Sequence, residues 1–209
     1  PQYPHLKATP VGRQFVLGLP LMNAEDLDDT ALEAACSDIK ETVTPPVQEE
    51  SSQLTARLYN AARDPYAEGK ASGVAFEEAI AEIFNFMGFN AKRVGGSGDT
   101  DIIACWQDNN GKKITAIIDG KSISGGFVSH GDISDVAIDA HKDKNNAAYV
   151  AIVGPGFSGD TIRNHAKKKS FALITDEELS EIAKHAHSLG LTLQEISLIF
   201  QVPNGLSQL

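Results

Sequence analysis

A chain of 209 residues with 42% hydrophobic content is long enough to bury a substantial core, and suits one domain of ordinary size with an appended segment. The formal net charge of −10 argues against an autonomous nucleic-acid-binding domain, which usually needs surplus Lys and Arg to neutralise phosphates. No apolar run approaches the roughly eighteen residues of a membrane span, and the opening PQYPHLKATPVGRQF lacks the pattern of a signal peptide.

The chain opens without Met, and reads as processed or as a piece of something longer. Its two cysteines, Cys36 and Cys105, sit far apart without His partners at ligand spacing. They suggest reduced thiols in a cytoplasmic protein rather than a zinc site.

Residues 1–24 hold four of the nine prolines and show no sustained period, so they read as an irregular arm. Residues 24–41 have early acids and apolar residues at helical spacing, which predicts a helix. Thr42 to Val47, with Pro45-Pro46, reads as a break and a linker. Leu54, Leu58, Tyr59 and Ala62 then predict an amphipathic helix over 49–63, ended by Asp64-Pro65. Residues 73–87 give the clearest helix, with Phe76, Ile80, Ile83, Phe84 and Met87 in one stripe and Gly88 as the stop.

Two short apolar runs follow, 102–106 and 114–118, joined by Asn109-Asn110-Gly111: a β-hairpin signal. Beyond Gly125-Gly126 a helix is expected over 131–144, with Ile133, Val136, Ala137 and Ala140 on one face. Residues 147–153 read as a buried strand, 158–169 as a helix, 171–174 as a strand and 176–189 as a helix. A last helix over 192–201 opens with the capping box Thr192-Leu193-Gln194-Glu195. The order of elements predicts an α/β domain: a mixed β-sheet flanked by helices, with an N-terminal helical extension.

Chemistry gathers at the open end of the hairpin. Gly95-Gly96-Ser97 leads through Asp99-Thr100-Asp101 into the first strand, and Asp119-Gly120-Lys121 ends the second. Antiparallel pairing makes Asp101 and Asp119 neighbours, and alternation points Asp119 and Lys121 to one face. Mg²⁺ takes one or two protein carboxylates and completes its shell with waters and phosphate oxygens. Asp101 and Asp119 would supply those carboxylates, and the Gly120 carbonyl a third oxygen. Lys121 would orient or deprotonate a water and stabilise developing charge. Gly120 would keep the strand end accessible. An isolated Asp-x-Lys is ordinarily a solvated ion pair. Here it ends an apolar strand, beside a matching acid and two glycine-rich loops.

These residues resemble the PD-(D/E)XK nuclease superfamily and, within it, the cleavage domain of the type IIS restriction endonuclease FokI. Gly95-Gly96-Ser97 and Asp101 resemble its glycine loop and first metal-binding acid. Ile118-Asp119-Gly120-Lys121 with Ser124-Gly125-Gly126 resembles its second acid, lysine and following loop. The likeness runs from about Leu58 to Phe200, with 150–175 and 191–200 matching the closing elements. Thr100 stands where the family has proline, and Asp99 is an extra carboxylate beside Asp101. Gly73-Val74-Ala75-Phe76-Glu77 and Asp99-Thr100-Asp101 are also similar to Mrr-type restriction endonucleases. That likeness implies Glu77 as an auxiliary active-site acid, against the alternative of an ordinary helix-face carboxylate.

The resemblance implies a restriction-endonuclease-like nuclease domain over 49–209, preceded by an arm, extension or linker over 1–48. It implies a Mg²⁺-dependent, site-specific type II deoxyribonuclease, with Mn²⁺ as a substitute metal, acting on double-stranded DNA. Double-strand cleavage would come from transient homo- or heterodimerisation through the nuclease domain, and a separate domain or subunit would recognise the sequence. The helix over 131–144 matches the dimerisation region, with Asp132, Asp135 and Asp139 exposed there or simply solvated. The basic cluster Arg163, His165, Lys167, Lys168 and Lys169 would contact backbone phosphates, or form the cationic end of a helix.

Two rival motifs stand out. Gly154-Pro155-Gly156-Phe157-Ser158-Gly159 follows an apolar strand, precedes a helix and has Asp176 downstream, the outline of a dinucleotide-binding fingerprint. Such a domain needs further parallel strands, yet the sequence after Ile174 reads as helical. Asp99-Thr100-Asp101 also fits a metal-binding Asp-x-Asp of phosphatases or glycosyltransferases, but in haloacid-dehalogenase-type phosphatases the strand precedes the acids, whereas here it follows them. A degenerate nuclease fold used only for interactions is disfavoured by the presence of both acids and the lysine.

Overall fold

A computed structural model of the protein describes residues 45–96 and 100–201. The N-terminal arm, the helix expected over 24–41, Cys36 and Asp99 lie outside the described residues. The chain divides into two units, Pro1–Glu49 and Glu50–Leu209; the second carries the sheet and the residues discussed below.

The first described helix, α1, is Pro45–Arg63. The break expected at Pro45-Pro46 is instead its first turn, where proline's missing N–H removes no intrahelical hydrogen bond. Helix α2 is Val74–Phe86, and its stripe of Phe76, Ile80, Ile83 and Phe84 is fully buried. A strand that the sequence pattern does not announce follows, β1 (Asn90–Arg93), in which only Ala91 is buried. Four residues are too few to show a period. The strand is docked by Asn85, whose amide exchanges two 2.8 Å hydrogen bonds with the Ala91 backbone.

The hairpin consists of β2 (Ile102–Gln107) and β3 (Lys113–Gly120). Its turn is closed by the Asp108 carboxylate, which accepts the Asn110 and Lys112 N–H groups at 2.9 Å. Strand β4 is Tyr149–Gly154 and β5 is Phe171–Thr175. The five strands lie in the order β1-β2-β3-β4-β5. The first three pair antiparallel and the last three parallel, so the sheet is mixed.

Helices cover both faces. On one, Ile102, Ala104, Ala116, Ile118, Val153 and Ile174 pack with α1, α2 and helix α5 (Asp176–Ser188). On the other, Ile117, Val150, Ile152 and Leu173 meet Ile138 of α3 (Asp135–Lys144) and Ile162 and Ala166 of α4 (Gly159–Lys169). Burial on both faces explains why β4 and β5 read as unbroken apolar runs.

Helix α3 begins later than the sequence suggests. Residues His130–Asp132 form a separate 3₁₀ turn, closed by Asp132 Oδ2 accepting the Ser129 N–H at 2.8 Å and its hydroxyl at 2.7 Å. The later start rotates the helix. Ile138 is the residue that docks on the sheet, while Val136 is 83% exposed. The last helical segment is likewise divided, into α6 (Leu193–Ser197) and a 3₁₀ turn (Leu198–Phe200). Its expected capping box is formed, with the Thr192 hydroxyl accepting the Glu195 N–H at 3.3 Å.

Candidate active site

The register that pairs Ile102 with Ile118 carries Asp101 to a position beside Asp119, at the C-terminal end of β3. Asp119 lies within β3, paired with Ile152 of β4, and Asp101 stands immediately before β2. Asp101 Oδ2 accepts the Gly120 N–H at 3.0 Å, which ties the first acid across the strand end. Lys121 projects beside Asp119, its Nζ donating to Oδ1 at 3.0 Å and lying 2.9 Å from Oδ2. Its backbone continues the sheet by donating to Val153 O at 2.8 Å.

Gly120 does not serve to open the strand end. A Cβ there would stand 3.1 Å from Ile80 Cδ1 and 3.6 Å from Glu77 Cγ. The glycine is what lets α2 lie close against the strand. Glu77 thus approaches Gly120 from the α2 face of the sheet, while Ile117, two residues before Asp119, faces the α3 side. Glu77 is largely buried, and its Oε2 accepts from Arg93 Nε at 2.5 Å.

The electrostatics follow from this crowding. Asp101 is pushed up to about 8, first by burial, then by the Asp119 carboxylate hydrogen-bonded beside it and its charge, then by the charge of Glu77; the Gly120 N–H opposes the shift. Two carboxylates crowded together in partial burial, with Lys121 on only one of them, are a setting that suits a divalent cation. Among the described residues no group of three or more His, Cys, Asp or Glu gathers as a metal cage. Mg²⁺ needs no cage, because one or two carboxylates suffice. Asp101 and Asp119 fit that requirement.

A cavity of about 170 Å³ adjoins the pair. Asp101, Asp119 and Lys121 line one side, and Ser134 and His141 of the α3 region line the other. Neither Ser134 nor His141 carries a motif that sequence reading could single out. Only the packing of α3 on β3 and β4 brings them there. Arg93 was missed for a similar reason, since it lies on the one strand that shows no period.

The basic cluster on α4 is not uniformly available. His165 Nε2 lies 2.7 Å from Asp135 Oδ1, and Lys169 Nζ lies 2.7 Å from Asp139 Oδ2, so both side chains turn toward α3. Asp135 and Asp139 are therefore not a merely solvated face, and Asp132 belongs to the turn at Ser129. Lys167 and Lys168 remain exposed, and Arg163 is half-buried.

The glycine loop 154–159 joins β4 to α4 as its sequence suggests, but another segment of the chain occupies it. Val128 donates to Gly156 O at 2.8 Å and accepts from the Ser158 N–H at 2.9 Å. A Cβ on Gly154 would come within 2.6 Å of Val128 Cγ2. The missing Cβ of Gly154 makes room for Val128, which takes up backbone groups of this loop. Gly154→Ala is expected to cost about 1–3 kcal/mol by overpacking, read as a melting temperature lower by several degrees. An unchanged melting temperature would show that Val128 yields freely.

The family model described as "FokI, cleavage domain" matches residues 34–206. The chain belongs to the FokI cleavage-domain family. Two solved structures share its fold. The restriction endonuclease FokI is 19% identical with a TM-score of 0.54, covering 76% of this chain and 34% of that one. FokI bound to DNA is 20% identical with a TM-score of 0.51, covering 77% of this chain and 34% of that one. The chain therefore spans about a third of the length of the FokI chains it matches. No curated protein matches it. The fold is that of a FokI-type cleavage domain. Among the described residues no helix is long and apolar enough to cross a membrane.

Proposed function

We propose that this FokI-type domain is the cutting module of a type IIS-like restriction endonuclease, hydrolysing phosphodiester bonds of double-stranded DNA. The observation that carries the reading is the juxtaposition of Asp101 and Asp119 at one strand end with Lys121 on the second acid. Asp101 and Asp119 would hold Mg²⁺, or Mn²⁺ in its place, with the Gly120 carbonyl as a further oxygen. When bound, the cation would polarise the phosphoryl oxygen and acidify a water.

The chain's own residues do the rest. Lys121, held on Asp119 in this structure, would orient the attacking water and stabilise charge developing on the phosphoryl group. The Gly120 N–H keeps Asp101 in place. Lys167, Lys168 and Arg163 supply backbone-phosphate contacts. Recognition belongs to a separate domain or subunit, which the acidic net charge supports, since weak intrinsic affinity limits indiscriminate cutting. Two copies meeting transiently through the α3 region would cut both strands.

The test is incubation of concentrated protein, alone and fused to a DNA-recruiting domain, with plasmid and Mg²⁺, beside Asp119→Ala and Lys121→Ala. Wild type should nick and linearise the plasmid, and each variant should lose at least about a hundredfold in rate, roughly 2.7 kcal/mol of barrier. Plasmid left equally intact by all three, fusion included, would end the nuclease reading.

A further inference from the structure

We propose that Arg93 is a positioning residue for the acid pair, and that Glu77 serves as its anchor rather than as a metal ligand; the inference rests on the metal-centre reading above. Arg93 ends β1 and pairs in register with Ile102, immediately after Asp101. The next residue, Val94, donates its N–H to the Asp101 carbonyl at 2.8 Å. The end of β1 thus clamps the backbone of the first acid directly.

The Arg93 side chain adds a second restraint. Its guanidinium lies under the glycine loop, so close that a Cβ on Gly95 would come within 2.6 Å of Nη2 and 2.7 Å of Cζ. Gly95 also has φ +52°, a conformation that L side chains rarely adopt. The positive φ is what requires glycine here, and the guanidinium packs against the face that a Cβ would occupy. Arg93 is held in turn by Glu77, whose side chain is 11% exposed against 33% for Arg93. The carboxylate is committed to Nε at 2.5 Å. Its own helix positions it from the α2 face of the sheet, with Cγ 3.6 Å from where a Gly120 Cβ would lie.

Glu77, Arg93 and the adjoining Val94 backbone therefore form a strut from α2 to the backbone of Asp101. This strut supports a ligand from behind, and such supports are worth about tenfold or more in metal affinity. For Arg93→Met charge alone predicts the opposite sign, because removing a cation near an acid pair should tighten cation binding; for Glu77→Gln it predicts the same sign, so Arg93→Met is the deciding variant. The direction of the change separates the two.

The experiment is calorimetric titration of the full chain with Mn²⁺ in the absence of DNA, beside Arg93→Met, Arg93→Lys, Glu77→Gln and the double variant Arg93→Met/Glu77→Gln. Methionine keeps bulk beneath Gly95, and thermal melting of each protein reports folding separately. Arg93→Met and Glu77→Gln should each weaken Mn²⁺ binding about tenfold, Arg93→Lys should recover much of it, and the double variant should bind no more weakly than either single one. A folded Arg93→Met protein with unchanged or tighter Mn²⁺ binding overturns the proposal. So does loss of binding in Glu77→Gln alone, which would make Glu77 a ligand. Wild type that binds no Mn²⁺ at all defeats the metal-centre reading, and this inference with it.

Discussion

Asp101→Asn is expected to yield a protein that cannot cut DNA and yet is harder to melt at pH 8. The two effects have one cause. In the metal-free protein Asp101 is pushed up to about 8 from the ordinary carboxylate range, chiefly by burial and by Asp119. Between roughly pH 4 and 8 the folded protein therefore holds a proton that the unfolded chain has released. Stability falls as pH rises through that window. Asparagine removes the slope, because its amide can accept the Gly120 N–H and donate to Asp119 with no charge to bury.

After discounting for solvent screening, the gain at pH 8 is about 2 kcal/mol, or several degrees in melting temperature for a chain of this size. The gain should vanish near pH 4, grow up to about pH 8 and level off above it. Cleavage should fall at least a thousandfold, about 4 kcal/mol of barrier, since one of the two acids is gone. Melting scans of the metal-free proteins from pH 4 to 9 check the first half. A variant no more stable than wild type at any pH would show that the two carboxylates do not repel as their geometry implies.

The second large effect concerns stability far from the acid pair. Arg63, at the end of α1, donates from Nη1 to Asp176 Oδ2 at 2.6 Å, and its guanidinium lies 3.6 Å over the Tyr59 ring. Asp176 opens α5 and is fully buried, whereas the Arg63 side chain keeps 27% of its surface. Burial raises Asp176 above the usual carboxylate range even with Arg63 in place.

Arg63→Ala strands that carboxylate, at a cost of about 3–5 kcal/mol and a melting temperature lower by about ten degrees. The loss should deepen as pH rises above the ordinary carboxylate range, because the stranded Asp176 keeps a proton that the unfolded chain gives up. Asp176→Asn should cost less, because Arg63 can turn to water and to Glu177, 3.6 Å away. Equal, pH-independent losses in the two variants would show that Asp176 is not the buried charge of the pair.

The legible parts of this chain are those with a local cause. The stripe Phe76-Ile80-Ile83-Phe84 repeats at the helical period, and each of its residues is buried. The runs flanking Asp108–Gly111 pair as a hairpin because their turn is closed by a side chain two residues away. The neighbourhood of Asp101 and Asp119 follows from antiparallel register alone. Where the reading slipped, the deciding contact was distant or the segment short. Proline at a helix start looks the same in sequence as proline at a break. Four residues of β1 show no period. The phase of α3 depends on where Ser129 and Asp132 close their turn.

The sequence alone thus determined the mixed α/β order, the hairpin and the placing of two acids and a lysine at its open end, because pairing and alternation act over a few residues. Tertiary structure decided the surroundings. It put α2 against Gly120, committed Glu77 to Arg93, turned His165 and Lys169 onto α3, and filled the glycine loop after β4 with Val128. Each of these joins residues distant in the chain through the packing of whole elements on a sheet, and no local pattern encodes which partner a charged side chain will meet.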